Sequence, residues 1–214
     1  MVTMATVTFG AGISGARGKF GTAVFQQYGE TTMMRPLVTP HDPRTPAQVS
    51  SRLRMSAAAE FWKALSDAEL AAWEAFAATQ TGGAYRIFGG LIAKWLQMNP
   101  TETPPTMPPL GPFYGDAPTL GIVASSESGV LTVAASQPNA AGVVTEILVQ
   151  TLAHKRRKPR KNDWRTATFL NFDASSLTQS LPLEPGAYAV AYRFVKATTG
   201  QASVMTTIGS LAVD

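Results

Sequence analysis

Residues 101–118 carry six prolines in eighteen positions, in the stretch TETPPTMPPLGPFYGDAP. Each proline removes a backbone N–H donor and restricts φ, so the stretch is excluded from helix interiors and central strands. Such a composition is typical of a semi-rigid, extended spacer. The chain before it has helical periodicity, and the chain after it alternates like β-strands. We therefore expect an α+β protein of two domains, with residues 101–118 as a proline-rich linker.

Residues 1–44 predict an extended arm followed by a β-hairpin. Short strand-like segments occur at 5–9 and 22–28, and residues 31–38 can return across a turn at Gly29. This part of the chain holds few residues that could form a core of its own.

Residues 45–100 predict three helices. TPAQ at 45–48 and SDAE at 66–69 have the pattern of capping boxes, which mark helix starts. The TGG stretch at 81–83 separates the second helix from the third. The first helix has apolar residues at every fourth position, which predicts one continuous packing stripe: Val49, Leu53, Ala57, Phe61 and Leu65.

Residues 119–214 predict an all-β domain. Its strand-like segments are separated by turn-rich breaks and number seven: 120–123, 129–136, 145–151, 165–172, 177–181, 186–195 and 202–213. Seven short alternating strands in a domain of this length are typical of an antiparallel β-sandwich.

The segment LEPGAYAVAYRFVKATTGQAS resembles the E–F corner and F–G hairpin of a fibronectin type III or related immunoglobulin-like domain. Leu183, Pro185, Gly186 and Tyr188 occupy the positions of the tyrosine-corner pattern, with one residue fewer than usual between the leucine and the tyrosine. The resemblance implies an immunoglobulin-like or fibronectin III-like sandwich over 119–214.

The stretch FGAGISGARGKFG, residues 9–21, holds five glycines and a literal G-x-G-x-x-G. A dinucleotide-binding loop needs a helix directly after the motif, and the glycines at 18 and 21 would break one. A flexible linker is one alternative. We favour an arm that orders on assembly, because Ile13, Phe20 and Phe25 are spaced through it and can anchor it. The candidate assembly interface is Gly10, Gly12, Ile13, Gly15, Arg17, Gly18, Lys19, Phe20, Gly21, Phe25 and Arg35.

A second resemblance starts in this arm. SGARGKFGTAVFQQYGETTMMRPLVTPHDPRTPAQVSSR is similar to a pattern of uncharacterised bacteriophage and prophage proteins, in which G-K-x-G precedes a hairpin, an arginine-proline segment and P-x-T-x-x-Q-x-x-x-R. The W-x-x-L-S-x-A-x-x-x-A-W segment of the same group is matched from Trp62 to Trp73, and AYRIFGGLIAKWLQMNP resembles its next helix. The resemblance covers roughly residues 14–110. It implies a virion structural protein and brings no catalytic residues.

The basic residues are unevenly placed. The formal net charge is +4, and six of the 18 Lys and Arg residues lie in one run between two predicted strands. This run is either a solvated loop or a contact for an anionic partner, with phosphates of nucleic acid or an acidic capsid surface as the candidates. Its candidate anion contacts are Lys155, Arg156, Arg157, Lys158, Arg160 and Lys161.

The residues needed for most catalytic and metal sites are scarce. Cysteine is absent, and His41 and His154 are the two histidines. We therefore expect no enzyme, no catalytic residue, no metal, no cofactor and no small-molecule substrate. No apolar run approaches the length of a membrane span, so we expect no membrane partner.

The sequence thus favours a bacteriophage virion structural protein that is assembled in the host bacterial cytoplasm. We expect a capsid decoration or cement protein, in which the arm, hairpin and helices dock and the sandwich projects outward. Its partners would be the major capsid protein or another virion protein, and further copies of itself. A neck or tail component, a polyanion-binding or nucleic-acid-binding accessory protein and a surface-adhesion module remain alternatives, with nucleic acid not favoured.

Overall fold

The computed structural model describes residues 5–8, 15–39, 42–123 and 129–213. Over these residues the chain forms three α-helices and eleven β-strands, arranged in three antiparallel sheets. The predicted α+β class is confirmed. The chain divides into two compact units, Met1–Thr45 and Pro46–Asp214, so this division lies before the helices and not at residues 101–118, where the sequence predicts the linker.

The first unit contains a four-stranded sheet. Its strands are β1 (Ala5–Val7), β2 (Gly18–Phe20), β3 (Ala23–Tyr28) and β4 (Thr31–Pro36), in the order β1-β4-β3-β2. The predicted hairpin is β3–β4, and Gly29 at its turn has a φ of +61°. β2 comes from the predicted arm, so this part of the arm is a paired strand rather than an unpaired segment.

The second unit begins with the three predicted helices, α1 (Pro46–Lys63), α2 (Asp67–Ala78) and α3 (Ala84–Met98). The predicted capping box at Ser66 is present: its hydroxyl accepts from the Glu69 N–H, and the Glu69 carboxylate accepts from the Ser66 N–H at 2.8 Å. The helices pack around an aromatic core in which Trp73 and Phe88 are fully buried and meet edge to face. This cluster holds the three helices together.

The predicted apolar stripe of α1 packs over only part of its length. Phe61 and Leu65 lie against the helical core, whereas Leu53 is 65% exposed and Val49 is 39% exposed. A cleft of about 430 Å³ separates this half of α1 from the end of α3, with Leu53 and Arg54 on one side and Leu96 on the other. The N-terminal half of the stripe is therefore left in contact with solvent.

All seven strands predicted for residues 119–214 are present. They form a three-stranded sheet in the order β5-β6-β9 and a four-stranded sheet in the order β11-β10-β7-β8. Side chains from both sheets share one apolar core, which includes Leu131, Ile147 and Val190. The arrangement is compatible with an immunoglobulin-like sandwich. The strand bounds are β5 Leu120–Val123, β6 Val130–Ala135, β7 Val143–Leu152, β8 Arg165–Leu170, β9 Thr178–Pro182, β10 Gly186–Lys196 and β11 Thr206–Val213.

The tyrosine-corner hydrogen bond forms despite the shortened spacing. The Tyr188 hydroxyl donates to the backbone oxygen of Glu184 at 2.8 Å. A Cβ on Gly186 would lie 3.6 Å from the ring of Tyr188, so the backbone at Gly186 lies close to this ring. The bond ties the start of β10 to the connection that precedes it.

The proline-rich segment forms no helix or strand, as its composition predicts, but it is packed rather than extended as a spacer. The indole Nε1 of Trp73 donates to the Thr106 oxygen at 2.7 Å, and Gln201 Nε2 donates to the Gly111 oxygen at 2.8 Å. Pro104 and Pro109 are buried. The segment therefore contacts the helices at one end and the sandwich at the other, because its prolines and backbone oxygens find partners on both.

Candidate interaction surfaces

The described part of the candidate interface lies in the sheet of residues 5–36 and in the chain that leads into it. Gly10, Gly12 and Ile13 fall outside the described residues. Gly15 lies against Gln27 of β3, where an added Cβ would come within 3.3 Å of the side-chain nitrogen. Gly18 and Gly21 have φ angles of +108° and +57°, which favour glycine at both positions.

One face of this sheet is mostly apolar, with Gln27 and Thr32 as polar members. The register pairs Gly18 with Phe25 and Phe25 with Met34, and it pairs Phe20 with Ala23 and Ala23 with Pro36. Because side chains alternate along a strand, these two rows point to the same side. We call Phe20, Ala23, Phe25, Met34 and Pro36 the apolar face. Phe20 is 78% exposed, so one of the two phenylalanines on this face is largely in contact with solvent.

The opposite face carries the positive charge. Lys19 pairs with Val24, and Val24 pairs with Arg35, so the two cations lie in one row across three strands. We call Lys19 and Arg35 the basic row. The other described side chains on this side are neutral: Thr6, Val24, Gln26, Tyr28, Thr31 and Met33. The strands thus separate the predicted interface residues into two surfaces of different chemistry.

Sequence reasoning missed Ala23, Met34 and Pro36 as members of the apolar face. Met33 and Met34 are adjacent in the sequence, and the flexible side chain of methionine suits an interface at either position. Only the pairing of β2 with β3, and of β3 with β4, shows which methionine shares a side with Phe20 and Phe25. The alternation within β3 and β4 could have shown which of their residues share a side. It could not have placed Phe20 on that side, because the glycine-rich sequence around β2 does not resemble a strand.

The predicted anion contacts lie in the connection from β7 to β8. All six basic side chains from Lys155 to Lys161 are exposed. The turn is closed by backbone hydrogen bonds from Arg157 N to the His154 oxygen at 3.0 Å and from Asp163 N to the Arg160 oxygen at 3.5 Å. We call residues 154–163 the basic loop.

The basic loop is anchored to the sheet by one buried side chain. Gln150 of β7 is 5% exposed, and its Oε1 accepts from the backbone N–H of Arg160 at 2.9 Å. Its Nε2 donates to Asp163 Oδ2 at 3.4 Å. A polar cleft of about 200 Å³ opens beside this anchor, with Arg157, Lys158 and Arg160 on its wall.

The described residues offer little for catalysis or metal binding. Across the parts of the chain that the structure covers, no three His, Asp or Glu side chains lie close enough to hold a metal ion. His41 lies outside the described residues. The absence of an enzymatic site, a metal and a cofactor stays a prediction. Among the described helices, none is long and apolar enough to span a membrane.

Compared with known proteins, the chain matches no family model, no curated protein and no solved structure. The bacteriophage resemblance therefore rests on the sequence motifs alone.

Proposed function

We propose that this chain is a structural, non-enzymatic protein of a bacteriophage particle, and that it is a capsid decoration protein. In this proposal the sheet of residues 5–36 docks on the major capsid protein or on another virion protein. The observation that carries it is the apolar face, with Phe20 at 78% exposure in a unit that contributes no residue to either apolar core of the described chain. A sheet with one apolar face needs a second surface to cover that face.

The size of the sheet favours attachment in many copies. Two strands of six residues and two of three, spaced about 4.8 Å apart, present roughly 300 Å² per face. A stable interface between two proteins uses about 800 Å² on each partner, so one face alone is a weak contact. A symmetric shell offers many equivalent sites, and copies that also contact one another gain avidity without any new chemistry. A neck or tail ring would offer fewer such sites, and we therefore favour decoration of the shell.

We further propose that residues 119–213 form a fibronectin III-like member of the immunoglobulin-like class. The strand order and the Tyr188–Glu184 corner bond support this assignment. A virion location follows from the docking proposal, with assembly in the host bacterial cytoplasm.

The docking proposal is tested with two matched variants. Phe20 and Tyr28 are both 78% exposed, and the register places them on opposite faces of the same sheet. Phe20→Ser removes the main anchor of the apolar face. Tyr28→Ser removes an equally exposed aromatic side chain from the other face. Each purified protein is mixed with empty shells of the bacteriophage that encodes it, and the amount that co-sediments is measured.

We expect Phe20→Ser to lose most of its binding and Tyr28→Ser to keep it. Equal binding of Phe20→Ser and wild type would overturn docking through the apolar face. The absence of wild-type protein from purified virions by mass spectrometry would overturn the virion role itself. Deleting residues 1–21 is a less specific test, because the deletion also removes β1 and β2 from the sheet.

A further inference from the structure

The basic loop concentrates positive charge more strongly than any other described part of the chain. Residues 154–163 contain six Lys and Arg side chains and one carboxylate, Asp163. Within the described chain, the one ion pair of these cations joins Arg160 to Asp163 at 3.9 Å. Cations this close repel one another, and a bound polyanion would remove that repulsion.

The loop holds these cations on an organised backbone. The buried Gln150 side chain fixes Arg160 and Asp163, and the hydrogen bond from Arg157 N to the His154 oxygen closes the turn. A loop that is already ordered loses less conformational entropy when it binds. Its polar cleft of about 200 Å³ places Arg157, Lys158 and Arg160 around one opening.

We propose that the basic loop binds the phosphodiester backbone of nucleic acid and does not read its sequence. Double-stranded DNA carries one charge per about 1.7 Å of helix axis, so a loop with six cations among residues 155–161 can contact several phosphates at once. Arginine forks also fit phosphate oxygens in a bidentate way. Residues 154–163 contain no Phe, Tyr or Trp, and the adjacent Trp164 is half-buried, so stacking on bases has no platform here.

This inference is independent of the proposed docking function. None of the loop residues belongs to the sheet of residues 5–36, and the loop lies between β7 and β8 of the sandwich. Either proposal can fail while the other holds.

The test measures binding of the full chain to a fluorescent duplex of mixed sequence by anisotropy. Affinity is measured from about 50 mM to about 200 mM NaCl, because the slope of log affinity against log salt counts the neutralised phosphates. The loop variant is Arg157→Gln/Lys158→Gln, which leaves the Gln150 anchor unchanged. The control variant is Arg86→Gln/Lys196→Gln, which removes the same charge from two exposed positions outside the loop.

We expect the loop variant to bind at least about tenfold more weakly, with the salt slope reduced by about two. The control variant should bind like the wild type, and duplexes of different sequence should bind equally. An unchanged affinity and slope in the loop variant, or an equal loss in the control, would overturn the proposal. Competition by poly-L-glutamate as effective as that by DNA of equal charge would overturn the assignment to phosphodiester chemistry and indicate an acidic protein partner.

Discussion

Lys94 Nζ lies 2.7 Å from Glu146 Oε1, and this ion pair joins α3 to the four-stranded sheet of the sandwich. Glu146 is fully buried, and its other oxygen accepts from Arg193 Nε at 2.6 Å. Thr166 adds a hydrogen bond from the neighbouring strand β8. One carboxylate thus receives hydrogen bonds from a helix and from two strands that flank its own, and it links the helices to the sandwich within one compact unit.

Glu146→Gln should destabilise the protein strongly, because it leaves the partly buried cations Lys94 and Arg193 facing a neutral group. The expected loss in the free energy of unfolding is roughly 3 kcal/mol, as found when one partner of a buried pair is removed. The measurement is urea denaturation followed by tryptophan fluorescence. Glu60→Gln is the control, because Glu60 pairs with Lys63 at 2.9 Å on an exposed helix face and its loss should be barely measurable. Similar effects of the two substitutions would contradict this account.

The stability contributed by Glu146 should depend on pH. Burial by itself raises the pKa of the Glu146 carboxyl, but hydrogen bonds from Arg193, Lys94 and Thr166 outweigh burial and hold the pKa below its ordinary value. A lowered pKa in the folded state means that the contribution is complete above about pH 4.5 and is lost as the pH falls further. The difference in unfolding free energy between wild type and Glu146→Gln should therefore shrink in acid. A difference that stays constant down to pH 3 or so would show that the carboxylate is not held in its charged form.

Gly200→Ala should separate the loop after β10 from α3. Gly200 has a φ of +73°, and an added Cβ would lie 2.3 Å from the Leu91 oxygen and 3.1 Å from Trp95 N. Gly142 has the same φ, with nothing within 4 Å of its Cβ position. Gly142→Ala therefore measures backbone strain alone, about 1 kcal/mol, and Gly200→Ala should cost about 2 kcal/mol more through overpacking. Thermal unfolding of both variants checks the difference, and equal melting temperatures would argue against a close approach of loop and helix.

Tyr188→Phe should cost about 1 kcal/mol, because it removes the hydroxyl that donates to the Glu184 oxygen. Tyr192→Phe is the matched change on the same strand: both tyrosines are 7% exposed, and the Tyr192 hydroxyl makes no hydrogen bond to a described residue. Denaturant titration should place the Tyr192 variant close to wild type. If the two variants lost the same stability, the corner bond would contribute nothing specific.

The parts of the fold that could be predicted from the sequence are those marked by short local patterns. The seven strands of the sandwich follow from alternation between turn-rich breaks, and the start of α2 follows from the Ser66–Glu69 capping box. Each of these signals is formed by residues that are close together in the chain, so it can be recognised without knowledge of the rest of the fold. The burial of the α1 stripe could not be predicted in the same way. The spacing of its residues shows which side of the helix is apolar, but it does not show over what length α3 covers that side. Leu53 lies on that side and is still 65% exposed.

The sequence by itself determined the three helices, the β3–β4 hairpin and the seven strands of the sandwich, and where prolines and glycines interrupt them. It also determined that positive charge concentrates between β7 and β8. Only the tertiary structure decided that Phe20 and Met34 share a face, that the proline-rich segment packs between helices and sandwich, and that Glu146 meets Lys94. These contacts join residues far apart in the chain, and their formation depends on strand register and packing geometry, which no local pattern encodes.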